Sequence, residues 1–358
     1  MKLIVKTAPR KLVVLLASVL VAILAILIYI WINISGVDSG YECTNSTMNT
    51  TVQQTVYGRN REAAAAAAAK NIGELEMLIS WDIEDSDVAK LNAAAGSVWT
   101  TIDKKTASLL VSCLDVAQKS GGAYDPTILP VSAMWDFGGY NQHVPAKEEI
   151  SKFLPYIDYA NLRVKTEESS ASLKLHYMGI DLSSIEKGAA CDEAVAAYKS
   201  AGADSGIVAV GSSVGVYGTK RDRSPWQIAV RDPKSTDEKV TAIGSLAILS
   251  GFVSTAAAYE KQFVKDGVTY QHILDPHTGY PVNNDLVSVT VTGSSGVIAD
   301  ALANACFVLG IEKGTALLKE YNAGGIFMDN KNQVTVTESI KNKFHLTSSS
   351  YTLAKSAS

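Results

Sequence analysis

Cysteine is scarce in this 358-residue chain: there are four, and no two stand in a C-x-x-C pair. That pattern argues against a thiolate metal site or a disulfide framework. Cys113, Cys191 and Cys306 lie in apolar, helical-looking runs and read as buried thiols, while Cys43 stands alone near the N-terminus. Excess charge is missing too. Thirty-two basic and 36 acidic residues leave a formal net charge of −4. No basic stripe with interleaved aromatics occurs, so nothing points to a nucleic-acid partner. The chain has no internal repeat. Strand-like and helix-like runs alternate without regular βαβ spacing, which argues for an α+β fold. The length allows a sizeable core and room for two domains.

The N-terminus does carry a long apolar run, from Leu12 to Ile32. It is long enough to cross a bilayer as a helix. Lys2, Lys6, Arg10 and Lys11 precede it, and Asp38 and Glu42 follow. The positive-inside rule then places the tail in the cytoplasm and the remainder outside. The run is too long for a signal peptide, and no small-x-small cleavage site follows it. The expected organisation is a basic tail over 1–11, a transmembrane anchor over 12–34, a polar linker over 35–45, a catalytic domain over 46–346 and a disordered Ser-rich tail over 347–358.

Within the domain, Thr51 to Tyr57 predicts a strand and Asn60 to Ile79 a helix with Asn60 as its cap. The Ala63–Ala69 run predicts close packing against a neighbour. Further helices are expected over 85–96, over 101–120 with Thr101 as cap, over 184–201 closed by Gly202, and over 297–309. Strands are expected over 206–218, 226–230, 286–292, 325–328 and 333–337, with apolar, strand-like character over 240–252. Asp266-Gly267 marks a hairpin turn.

Three segments could carry chemistry. His272 to Pro281 (HILDPHTGYP) sets a His and an Asp three apart, then a tight turn. Such a turn can present polar groups to a ligand or simply end a hairpin. Asp300 and Asn304 are four apart, on one face of an otherwise apolar helix. Two hard oxygens suit Mg²⁺ better than Zn²⁺, though an acid near a helix start can also serve the macrodipole. Gly179 to Gly188 (GIDLSSIEKG) puts an Asp, two Ser and a Lys at a helix entrance, where phosphate is favoured. The alternative there is a plain cap by Ser183 or Ser184.

Together these segments resemble the FAD:protein FMN transferase family, the ApbE-like flavin transferases, collinearly from about Ser46 to Gly325. Met48-Asn49-Thr50 stands for M-G-T, and Asp85-Ser86-Asp87 with Leu91-Asn92 for D-S-E…(L/F)-N. Tyr124 to Thr127 is similar to F-D-P-T, and Trp135 to Gly138 to W-G-F-G. Asp181 to Asp192 resembles D-L-G-G-I-A-K-G-x-A-x-D, His272 to Pro281 resembles H-I-I-D-P-x-T-G-x-P, and Asp300 to Gly310 resembles D-A-L-S-T-A-x-F-V-L-G.

The resemblance implies a two-part α+β enzyme with a FAD cleft and Mg²⁺. It implies transfer of FMN to a Thr or Ser hydroxyl of a flavin-carrying redox partner, with release of AMP. It places the metal at Ser184, Asp300 and Asn304. It places FAD against Met48, Trp81, Ala123, Tyr124, Asp125, Asp181, Lys187 and Leu274. His272 and Asp275 are the catalytic candidates, His272 accepting a proton or bonding to Asp275. The chain departs from the family where Asn304 replaces Thr, Ala303 replaces Ser and Ala256-Ala257-Ala258 replaces Ser-Gly-Asp. Gly211-Ser212 stands for Gly-Gly, and Met48-Asn49 lacks the motif's Gly. A FAD-binding protein without transfer and a metal-dependent FAD pyrophosphatase are the alternative readings.

Overall fold

The computed structural model of the chain describes residues 22–27, 29, 39–96, 98–220, 222–236 and 239–354. Most of the expected anchor over 12–34, all of the 1–11 tail and the last four residues lie outside the described residues. Residues 22–27 and 29 are helical and exposed.

Among the described residues, nine strands form one sheet in strict chain order. They are β1 (Tyr41–Thr47), β2 (Thr50–Tyr57), β3 (Ser205–Val210), β4 (Ser213–Tyr217), β5 (Gly251–Ala257), β6 (Leu286–Gly293), β7 (Gly324–Asp329), β8 (Gln333–Val336) and β9 (Thr352–Leu353). Every neighbouring pair is antiparallel except β8 and β9. Four helices, α1 (Arg61–Ile79), α2 (Lys104–Lys119), α3 (Glu186–Ala201) and α4 (Gly296–Glu320), share the main core with one face of this sheet. A smaller sheet of Trp226–Arg231, Ala242–Ile248 and Phe344–Leu346 covers the other face. The two cores follow the period of two along the strands. On β7, Ile326 and Met328 face the small sheet while Phe327 faces the helices.

The Ala run does pack closely. Ala64, Ala65 and Ala68 are fully buried, as are Ala190 and Ala194 of α3. Small side chains let the two helix backbones approach each other. Asn60 flanks α1 but makes no cap bond; its Nδ2 instead donates to the Ala201 carbonyl at 2.7 Å, tying the start of α1 to the end of α3.

Several boundaries differ from expectation for local reasons. The linker ends before Tyr41, because β1 occupies most of its second half and pairs with β2 through Met48-Asn49. Both turn residues have positive φ, 52° and 53°. Asn tolerates that conformation, so the turn forms without the family's Gly. Helix α2 starts at Lys104, capped by Asp103 rather than Thr101, which pairs in a short strand. Helix α4 runs past Leu309 to Glu320 through a break at Gly310. The described part of the tail, residues 347–354, is packed onto the fold rather than disordered. Tyr351 is buried in the second core, its hydroxyl bonds Asp232, and β9 extends the sheet.

Candidate active site

Helices α3 and α4 make the site's frame. They touch at Gly188 and Gly296 so closely that a Cβ on Gly188 would lie 2.1 Å from the Gly296 carbonyl oxygen. Each helix then binds the other's backbone through a carboxylate. Asp192 accepts from the Gly296 and Val297 amides at 2.9 and 3.0 Å, satisfying free N–H groups at the start of α4. Asp300 accepts from the Gly188 amide at 2.6 Å and from the Ser213 hydroxyl at 2.6 Å. Burial pushes the Asp300 carboxyl above its ordinary value, against those two donors and the charge of Lys187.

A cleft opens beside this crossing. It is lined by Ala123, Tyr124, Asp125, Asp181, Ser184, Lys187, His272, Leu274, Asp300 and Asn304 among others. Ten of the candidates named from the sequence therefore meet in one place. Asp300 and Asn304 both line the cleft, as their spacing along one helix requires. The Asn304 amide nitrogen lies 3.3 Å from the Ser184 carbonyl and 3.0 Å from the Asp300 carbonyl. Turning that amide end for end would bring its oxygen beside the Ser184 carbonyl. Ser184, Asp300 and Asn304 all line the cleft, and a backbone carbonyl, a carboxylate and an amide oxygen are hard donors of the kind Mg²⁺ takes. Among the described residues no three His, Cys, Asp or Glu side chains gather as a metal site, so carbonyl and amide oxygens would complete the shell.

The entrance to α3 differs from a plain Ser cap. The helix begins at Glu186, the flanking residue is Ile185, and neither Ser183 nor Ser184 caps it. Asp181 instead shapes the approach, accepting from the Ser183 amide at 2.9 Å and the Ser132 hydroxyl at 2.8 Å. Lys187 reaches across the cleft to Ser212 Oγ at 3.4 Å and Glu260 Oε2 at 3.3 Å. Asp125 turns its carboxylate to the backbone and hydroxyl of Thr127 and to the Tyr159 amide. It holds the loop that carries Ala123 and Tyr124. The Tyr124 hydroxyl donates inward to Cys113 Sγ at 3.2 Å.

His272 lies on the cleft wall. Its backbone amide donates to the Lys261 carbonyl at 3.1 Å, at the base of the hairpin of Gln262–Lys265 and Val268–Gln271. Its Nδ1 is buried with no hydrogen-bond partner among the described residues. Burial drives the imidazole down to about 4, so the ring is neutral near pH 7. A neutral ring with an unmet buried nitrogen is poised to meet a ligand or take a proton. The pairing of His272 with Asp275 does not form. Asp275 accepts from the His277 amide and faces its Nδ1, at 3.0 and 3.1 Å, while His277 Nε2 faces the Gly121 carbonyl. The Pro276-His277-Thr278-Gly279 turn draws Asp275 onto its own loop.

Three candidates fall outside the cleft lining. They are Asp275, Trp81, which is 41% exposed just beyond α1, and Met48. The Met48 side chain is buried, and its amide donates to Glu76 at 2.8 Å. Conversely, the cleft contains Glu186, Glu260 and Lys261, to which the sequence assigned no role. Glu186 was visible as the residue replacing Ala in the motif before Lys187. Burial beside Asp181 pushes its carboxyl up to about 8. Glu260 follows the three alanines that replace the family's Ser-Gly-Asp.

Known proteins resemble this chain in sequence and in fold. A FAD:protein FMN transferase of Treponema pallidum is 33% identical over 298 residues, covering 78% of this chain and 82% of that protein. One from Vibrio cholerae is 31% identical over 239 residues, covering 65% and 70%. Among solved structures, the ApbE protein of Thermotoga maritima superposes with a TM-score of 0.78 at 31% identity, over 85% of this chain and 99% of that one. The apo flavinyl transferase ApbE of Pseudomonas stutzeri gives 0.76 at 28% identity, over 87% and 98%. The sequence model of the ApbE family spans residues 48–327, from the β1–β2 turn to the middle of β7, and the chain belongs to that family.

Proposed function

We propose that this chain is a FAD:protein FMN transferase, moving FMN from FAD to a hydroxyl of a partner protein and releasing AMP. The carrying observation is the convergence in one cleft of Asp181, Lys187, His272, Asp300 and Asn304, from segments far apart in sequence. Both the Treponema and the Vibrio relatives bear the name of this activity.

The acceptor's Thr or Ser oxygen attacks the FMN-side phosphorus of the FAD pyrophosphate. A new P–O bond forms, and the bond to the AMP oxygen breaks with its electron pair. Lys187 offers a cation to the pyrophosphate, and the entrance to α3 offers backbone amides. His272, neutral and unpartnered at Nδ1, receives the hydroxyl proton. Ser184, Asp300 and Asn304 would hold Mg²⁺, which supplies charge to neutralise the developing anion. Residues 12–34 would anchor the chain in the membrane, with the catalytic domain outside the cytoplasm. The acceptor would be a redox protein exposing a Thr or Ser motif on that side.

The test incubates the full chain in detergent with FAD, Mg²⁺ and a protein carrying a flavinylation-type Thr, and looks for FMN on the acceptor by mass spectrometry. Mg²⁺-dependent addition is the expected result. FAD retained without addition, or AMP and free FMN without addition, would overturn the reading.

A further inference from the structure

The cleft contains an ion pair that the sequence did not foreshadow. Glu260 follows β5 by three residues, and its amide donates to the Ala257 carbonyl at 3.3 Å. Its Oε2 lies 3.3 Å from Lys187 Nζ, and the two side chains are only 22% and 24% exposed. Solvent screens such a pair less than it would a surface pair. Residues 256–258 offer no carboxylate here, so Glu260 supplies one from the same strand end. Glu260 also adjoins Lys261, whose carbonyl receives the His272 amide, so Glu260 and His272 sit together at the hairpin base. The charges that face His272 are those of Glu260, Lys261 and Lys187, and among them Glu260 favours the protonated ring while the lysines oppose it.

Lys187 has one ammonium and two claimants. A pyrophosphate carries more charge than a carboxylate and takes the lysine when FAD binds. Resting on the transferase reading, we propose that Glu260 is a positioning residue that holds Lys187 before FAD binds and is released toward His272 when the pyrophosphate claims the lysine. The released carboxylate faces the imidazolium that forms as the acceptor hydroxyl gives up its proton. Substrate binding and the basicity of His272 are thereby coupled through one side chain.

The test uses Glu260→Gln, which keeps the shape and removes the charge, in the full chain. FAD affinity is read by flavin fluorescence without acceptor, and the pH profile of transfer is read at saturating FAD. FAD should bind about two- to fivefold tighter, because a competitor for Lys187 worth no more than a partly exposed ion pair is gone. Maximal transfer should fall about tenfold, and the acid limb of the profile should move to lower pH. A lowered KM together with a lowered kcat is not what a merely structural role produces. Glu260→Asp should return the acid limb part of the way and guards against misfolding of the first variant. Weaker FAD binding, or an acid limb that stays in place, overturns the proposal. A wild-type chain that binds FAD and transfers nothing overturns the reaction itself; the affinity measurement still decides whether Glu260 competes for Lys187.

Discussion

Gly188→Ala should damage this protein more than its single added methyl suggests. The new Cβ would stand 2.1 Å from the Gly296 oxygen, 2.4 Å from its carbon and 2.8 Å from Asp300 Oδ2. Real Cβ contacts essentially never fall under 3.0 Å, so α3 and α4 must part by about 0.9 Å. All three contacts are backbone or a buried carboxylate, and none can swing aside. Alanine gains about 1 kcal/mol of helix propensity over glycine. Against that stand overpacking at about 1–3 kcal/mol and weakening of the Gly188–Asp300 hydrogen bond, a charged bond worth about 1.5–3 kcal/mol. The net loss is about 3 kcal/mol, or roughly 6–12 °C in melting temperature at about 2–4 °C per kcal/mol. Gly73→Ala is the control. It lies inside α1 with nothing within 4 Å of its added Cβ, and should stabilise by about 0.5–1 kcal/mol. Thermal unfolding of both variants followed by circular dichroism gives the comparison. A Gly188→Ala protein that melts at or above wild type would refute the close helix crossing and the site geometry built on it.

Other changes have expected outcomes of different kinds. Asp300→Ala should lower transfer by about a hundredfold or more and abolish its response to Mg²⁺ concentration; full activity would remove Asp300 from the site. The folded-state value of His272, depressed to about 4 from 6.5, means the unfolded chain binds the extra proton between those values. Stability should therefore fall as pH drops from 6.5 to 4, by about 3 kcal/mol at most from this group. Denaturant unfolding across that window should be flatter in His272→Gln, and an identical slope would refute the burial argument. Deleting residues 347–358 should cost about 3 kcal/mol or more, since it strips Tyr351 from the second core and removes β9. Unchanged denaturant stability would return the tail to the disordered reading.

The strongly periodic and punctuated parts of the chain were legible beforehand. The core of α1, the Asp266-Gly267 hairpin and strands β2, β6 and β7 follow from side-chain period and turn chemistry. The short pieces were not. The strands Leu162–Lys165, Ser170–Leu173 and Phe344–Leu346 carry too few residues for a period, and β1 is a polar edge strand defined by its partner. The Ser-rich tail looked unstructured because its order rests on one buried tyrosine and a two-residue strand.

The site divides along the same line. By itself the sequence determined which residue types were available and which shared a helix face: Asp300 with Asn304, and Asp181 ahead of Lys187. Local spacing along one helix or turn decides such relations. Only the tertiary structure decided that Asp192 and Asp300 each clasp the opposite helix, that Asp275 belongs to His277 rather than His272, and that Glu260 meets Lys187 across the cleft. Those pairings join residues from different elements, or choose among neighbours competing for one carboxylate, so they depend on how whole elements pack and cannot be read from any single stretch of chain.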